Sequence, residues 1–143
     1  MLFPSPESAN RFVERIGLAA SRFAVEVNAF CVMGTHYHLL VRAREDELRE
    51  AIESLEQDIG EETGRVRLLR LALGRHLLGV TRYIHRNPIE AGLVLRPEDW
   101  VWSSYRGYID RQDAPDWLRS DAVLAWLGCI GARLKYRRFV EGA

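Results

Sequence analysis

Two histidines separated by a single residue, His36 and His38, are the sharpest chemical feature of the chain. On a strand successive side chains alternate, so residues two apart share a face and both imidazoles converge on one small volume. Imidazole is the commonest protein ligand for divalent metals, so the pair can hold an ion; it can also be two polar groups on a solvated strand face. Metal binding requires a third ligand. Tyr83 and Asn87 lie four residues apart in a stretch with helical spacing, on a stripe that includes His76 and Val80. Residues four apart sit one turn apart on the same side of a helix, so a phenol and an amide oxygen look the same way. Val80 and the neighbouring Ile84 equally fit a tyrosine packed partly in the core with its hydroxyl at the rim.

The elements that must position these groups are legible in the pattern. Ser5, Pro6 and Glu7 have the form of a helix start, and Phe12, Ile16, Leu18 to Ala20 and Phe23 follow at helical spacing, which predicts a helix from Pro6 to about Phe23. From Val25 the pattern becomes extended. Val25 to Met33, then Gly34 and Thr35, then His36 to Ala43 read as two strands of a β-hairpin. Arg44 to Gly64 carries Leu48, Ile52, Leu55 and Ile59 at spacings of three and four amid many acids, which predicts a helix with a solvated acidic face. Arg65 to Leu71 fits a short strand or the start of a helix. Gly74 to Arg86 reads as a helix that Pro88 ends, because its ring disfavours helical geometry at Asn87. Pro97 to Tyr108 reads as an aromatic loop or turn, and Ser120 to Phe139 as a last helical region broken near Gly128 and Gly131.

The chain has 143 residues, enough for one domain, with 48% hydrophobic and 28% charged residues, an ordinary globular balance far from that of disorder. Twenty basic residues against twenty acidic ones give a formal net charge of zero, so any electrostatic partner must be attracted locally. The stretch Arg65 to Arg111 is such a local region: Arg65, Arg67, Arg70, Arg82 and Arg86 offer phosphate partners, and Trp100, Trp102, Tyr105 and Tyr108 offer stacking faces. Cations interleaved with aromatics suit single-stranded nucleic acid, although the same tryptophans also fit core anchors of an ordinary loop. No apolar run approaches the length of a membrane span and the N-terminus lacks the features of a secretion signal, so a cytoplasmic location is expected. Cys31 and Cys129, far apart and without a metal-type spacing, are expected to be buried reduced thiols.

The segment Phe30-Cys31-Val32-Met33-Gly34-Thr35-His36-Tyr37-His38-Leu39-Leu40-Val41 resembles the metal-binding strand of the HUH single-tyrosine transposases, specifically the branch of REP-associated tyrosine transposases. Arg82-Tyr83-Ile84-His85-Arg86-Asn87-Pro88-Ile89-Glu90-Ala91-Gly92-Leu93-Val94, followed by Trp102-Ser103-Ser104-Tyr105, is similar to that family's second signature, as is the closing Tyr136-Arg137-Arg138-Phe139-Val140. The resemblance implies an α+β fold, a ferredoxin-like HUH domain with an antiparallel sheet and helices on one face, spanning residues 1–143 as a core (1–111) and a C-terminal helical extension (112–143). It implies a single-stranded DNA endonuclease and strand transferase, with Tyr83 as the nucleophile and His36, His38 and Asn87 as metal ligands. The cofactor would be Mg²⁺ or Mn²⁺, of which Mn²⁺ best suits both phosphate and imidazole. The partner would be single-stranded DNA with an adjacent hairpin, gripped by Arg65, Arg67, Arg82, Arg86, Trp102, Ser103, Ser104 and Tyr105, by a monomer or homodimer off the membrane. His85, well round the helix from Tyr83, is assigned to DNA contact or solvent, and His76 to a structural role.

The chain departs from the family pattern in two places. Only Met1 to Pro4 precede Ser5, so the family's first strand, which pairs beside the histidine strand, is missing and an open sheet edge beside the metal site is expected; an N-terminally truncated chain is one explanation. The acidic helix Arg44 to Gly64 stands where the family has a basic segment, keeping at most Gly64 and Arg65. These departures raise an alternative, a catalytically inactive DNA-binding remnant or regulator of the same ancestry.

Overall fold

Ser5 starts the first helix with a reciprocal cap. Its hydroxyl accepts from the Ser8 backbone N–H at 3.2 Å, and the Ser8 hydroxyl accepts from the Ser5 N–H at 3.1 Å, satisfying two of the donors that a helix N-terminus leaves open. Helix α1 then runs Pro6–Arg22 and buries Ala9, Phe12, Ile16, Ala19 and Ala20. The computed structural model of the protein describes residues 1–57, 59 and 74–142. The expected strand or helix at Arg65 to Leu71 and, of the acidic helix, residues 58 and 60–64 lie outside the described residues. The remaining elements are β1 (Glu26–Val32), β2 (Tyr37–Arg42), α2 (Glu45–Glu56), α3 (His76–Glu90), α4 (Tyr105–Ile109), α5 (Asp121–Leu124) and α6 (Ala132–Glu141). The chain is therefore an α+β protein, with a two-stranded antiparallel sheet and six helices among the described residues.

The hairpin pairs Phe30 with Leu39, Cys31 with His38 and Val32 with Tyr37. Cross-strand partners share a face and neighbours alternate, so Tyr37 and His38 point to opposite sides. The Tyr37 ring packs on Phe12 of α1, with centroids 4.8 Å apart, and the His38 ring meets Tyr83 of α3 at 5.7 Å. Helices thus cover both faces of the sheet, not one as expected, and β1 is buried almost throughout, as a doubly covered strand must be.

One edge of β1 is closed by segments that read as loop in the sequence. Val32 donates to the Trp102 carbonyl at 2.8 Å and Ser104 donates to that of Phe30 at 2.9 Å, while Arg119 donates to the Val27 carbonyl at 2.8 Å. Among the described residues β2 pairs only with β1, and no strand precedes α1.

Helix α3 runs past Pro88 to Glu90, one turn beyond the expected stop. Proline costs a helix one N–H and crowds the preceding turn, but here it falls in the last turn, and the helix ends at a left-handed glycine instead. Gly92 has φ +73° and donates to Ile89, while Leu93 donates to Pro88, both at 2.9 Å, which is the double closure of a Schellman motif. Asn87 therefore keeps helical geometry, one turn after Tyr83. The last helical region breaks at Gly128 and Gly131, which have φ +89° and +65°, where the sequence predicts it.

Residues from both ends of the chain share the core, with Phe12, Ile16, Phe30, Tyr105, Tyr108, Val123, Tyr136 and Val140 in one buried cluster. Cys31 is buried and Cys129 is exposed, so the expectation of two buried thiols holds for the first alone. Burial pushes the Cys31 thiol up to about 12, leaving it protonated and inert at neutral pH.

Candidate metal and nucleophile site

Strand β2, the residue that precedes it and helix α3 bring together four of the residues singled out above. His36 and His38 lie on the α3 side of the hairpin with ring centroids 4.9 Å apart and planes at 90°. The Tyr83 ring stands edge to face against His38, at 85°, and remains 62% exposed. Desolvation by burial, and after it the neighbouring His36, push the His38 pKa down, and they outweigh the nearby Asn87 amide, which favours protonation. The imidazole is thus held neutral, the state in which a ring nitrogen carries a lone pair for a ligand.

Nε2 of His38 is buried and has no hydrogen-bond partner among the described residues. An unpaired buried nitrogen costs about 1–3 kcal/mol, and a cation at this point removes that cost. Nδ1 of exposed His36 lies 3.0 Å from the Thr35 hydroxyl, a bond that fixes the ring's orientation. Among the described residues no third His, Cys, Asp or Glu joins the pair, and the side chain of Asn87 is the further oxygen-bearing group beside His38. Two imidazoles and an amide oxygen fit a divalent ion of borderline softness such as Mn²⁺.

The expected DNA contacts divide differently. Arg65 and Arg67, with Arg70, lie outside the described residues. Ser103, Ser104 and Tyr105 are 6%, 2% and 0% exposed, so they are corrected from DNA contacts to interior residues; Tyr105 has no free face for a base. Tyr108 is buried likewise. Trp102 is half-buried and donates its indole N–H to Asn10 at 2.7 Å, and Trp100 donates to the Val32 carbonyl at 3.0 Å; both act as anchors of the loop. Arg82 and Arg86 donate to the carbonyls of Phe139 and Val140 at 2.9 and 2.7 Å, capping the C-terminal end of α6 as cations do, and Arg86 also pairs with Glu90 at 3.0 Å.

His85 is not at the surface. It is fully buried, with Nδ1 2.5 Å from the Tyr136 hydroxyl and Nε2 2.7 Å from that of Ser104. Ser104 Oγ also accepts from the Phe30 N–H at 2.9 Å and sits 3.2 Å from the Phe30 carbonyl. One proton arrangement satisfies every group: Tyr136 donates to Nδ1, Nε2–H donates to Ser104, and Ser104 donates to Phe30. Burial pushes the His85 pKa down to about 3, so the ring stays neutral and this arrangement persists. The network ties the helix that carries Tyr83 to the hairpin that carries the histidine pair. Its sequence signal was present, since Leu78, Thr81, His85 and Pro88 recur on the inward stripe of α3.

Comparison of the chain with protein-family models, with curated proteins and with solved structures returns no match. Among the described residues no helix is long and apolar enough to cross a membrane.

Proposed function

We propose that this protein cleaves and rejoins single-stranded DNA through Tyr83, in the manner of the HUH single-tyrosine transposases that its two motifs resemble. The observation that carries this reading is the meeting of an exposed phenol, a second imidazole and an amide at the ring of His38, whose buried Nε2 has no hydrogen-bond partner among the described residues. A ferredoxin-like arrangement of the sheet belongs to the same proposal.

His36, His38 and Asn87 would hold the divalent ion. When bound, it polarises the scissile phosphate and lowers the cost of the charge developing on its oxygens. Tyr83 supplies the nucleophile: its oxygen forms a bond to phosphorus and gives up its proton, while the bond to the departing deoxyribose oxygen breaks and that oxygen takes up a proton. One phosphodiester is exchanged for one phosphotyrosine, so the bond energy is conserved and the reverse attack by a deoxyribose hydroxyl rejoins a strand. Asn87 keeps its position relative to Tyr83 because both lie on the regular part of α3. The edge-to-face contact with the His38 ring keeps the phenol ring beside the imidazole pair.

The test is a labelled hairpin oligonucleotide with a single-stranded flank, incubated with Mn²⁺ and run on a denaturing gel. A covalent protein–DNA adduct is expected, absent in Tyr83→Phe and on chelation. Salt-sensitive binding without any adduct, indifferent to Tyr83→Phe, would instead identify a binding protein that does no chemistry.

A further inference from the structure

The cations of α3 and α6 fall into two groups. Arg86 pairs with Glu90 at 3.0 Å, and Arg137 pairs with Glu98 and Glu141 at 2.9 Å each; Arg133 donates inward to the carbonyls of Gly107 and Tyr108. Arg82, Lys135 and Arg138 have no carboxylate partner among the described residues. Lys135 uses one N–H on the Leu127 carbonyl, and Arg82 uses its Nε on that of Phe139.

These unneutralised groups share one strip. On α6, Tyr136 and Val140 face the core while Leu134, Lys135, Arg138 and Phe139 are exposed. That spacing of three and four makes a single outward stripe. Its end lies against α3, where the Arg82 guanidinium carbon stands 5.6 Å from the centre of the Phe139 ring, and Arg82 immediately precedes Tyr83. At the other end Lys135 reaches Leu127, whose neighbour Trp126 is 50% exposed. A row of cations without carboxylate partners among the described residues, flanked by aromatic faces, is the composition that tracks an unpaired polynucleotide.

We propose that the exposed stripe of α6, together with Arg82, is the surface that holds the single DNA strand flanking the scissile phosphate. It rests on the reading of Tyr83 as the nucleophile for the choice of DNA and for the direction of the strand. It adds where that strand lies, on a helix that the sequence pattern left without a role.

The test uses the full chain with Lys135→Glu and Arg138→Glu combined, leaving Arg82 in place because it holds α6. Anisotropy of a fluorescent hairpin oligonucleotide with a single-stranded flank is read over a salt series, beside adduct yield in Mn²⁺ and thermal unfolding. Binding should weaken about tenfold or more at low salt, and the slope of log K on log salt should flatten by about 0.7 for each phosphate that the variant no longer neutralises. Lys135→Arg with Arg138→Lys should restore both, and if charge reversal perturbs folding, the neutral pair Lys135→Gln and Arg138→Gln reads the same effect. Unchanged affinity and slope in a folded variant overturn the surface, whatever happens at Tyr83. Weakened variant binding without any wild-type adduct upholds the surface and overturns the nucleophile; failure of the wild type to bind the oligonucleotide overturns both.

Discussion

The rings of His38 and Tyr83 meet at 5.7 Å and 85°, joining the hairpin to a helix far along the chain. The contact sets the phenol beside a neutral imidazole whose Nε2 has no hydrogen-bond partner among the described residues. If that nitrogen is a metal ligand, Mn²⁺ binds the native state alone and stabilises it by mass action, about 2.7 kcal/mol at a hundredfold excess over Kd. For a domain of this size the melting temperature should rise by roughly 5–10 °C. His38→Ala should abolish the rise and Asn87→Ala should reduce it, whereas Tyr83→Phe should leave it intact. An equal rise in His38→Ala would place the ion elsewhere.

His85 gives the pH dependence a definite sign. Its pKa falls from the ordinary histidine value to about 3 through burial, so below about pH 6.5 the unfolded chain binds a proton that the folded chain refuses. The stability this group contributes is whole above that pH and is lost progressively as pH falls toward the folded value, by at most about 1.4 kcal/mol per unit. His38, shifted in the same direction, adds to the slope. Urea midpoints measured from pH 7.5 to 4.5 should decline more steeply for the wild type than for His85→Gln, which is less stable at pH 7.5 but no longer titrates. Parallel slopes would show that His85 takes up its proton in the native state over the same pH range as in the unfolded chain.

Ser104 separates a structural role from a binding role. Its hydroxyl joins His85 to both backbone groups of Phe30, and Ser104→Ala strips partners from a buried ring nitrogen and a buried amide. Each orphaned group costs about 1–3 kcal/mol, so a loss of about 2–4 kcal/mol in urea unfolding is expected. Affinity for single-stranded DNA should be unchanged below the transition. A loss of affinity with stability intact would return Ser104 to the DNA-binding surface.

The hairpin, the α1 cap and the His36–His38 face were legible because each depends on local rules: alternation, a hydroxyl before proline, a small turn. So was the Tyr83–Asn87 stripe, since its geometry is fixed by the helical period alone. What the sequence hid is long-range. Nothing local tells that Trp102 to Ser104 would pair with β1, and the same aromatic and polar residues suit either a nucleic-acid face or a buried connection. Pro88 read as a stop because local sterics disfavour it, whereas the Gly92 closure and the packing of Pro88 against the core carry the helix on. Arg82 and Arg86 read as free cations because their acceptors, the last carbonyls of α6, are distant in sequence.

Two glycines in helices should respond to the same substitution with opposite signs. A Cβ built at Gly17 would overlap the indole ring of Trp117, a rigid group that itself packs on Phe30 with centroids 5.4 Å apart. The ring cannot move without disturbing the sheet, so Gly17→Ala should destabilise by about 1–3 kcal/mol, the usual cost of overpacking. A Cβ at Gly79 of α3 meets nothing within 4 Å among the described residues, and its backbone φ is not in the left-handed region. Gly79→Ala should therefore stabilise by about 0.5–1 kcal/mol through the lower backbone entropy of the unfolded chain. Urea unfolding of the two variants at pH 7.5 checks both signs at once. A stabilised Gly17→Ala would mean that Trp117 does not rest on α1.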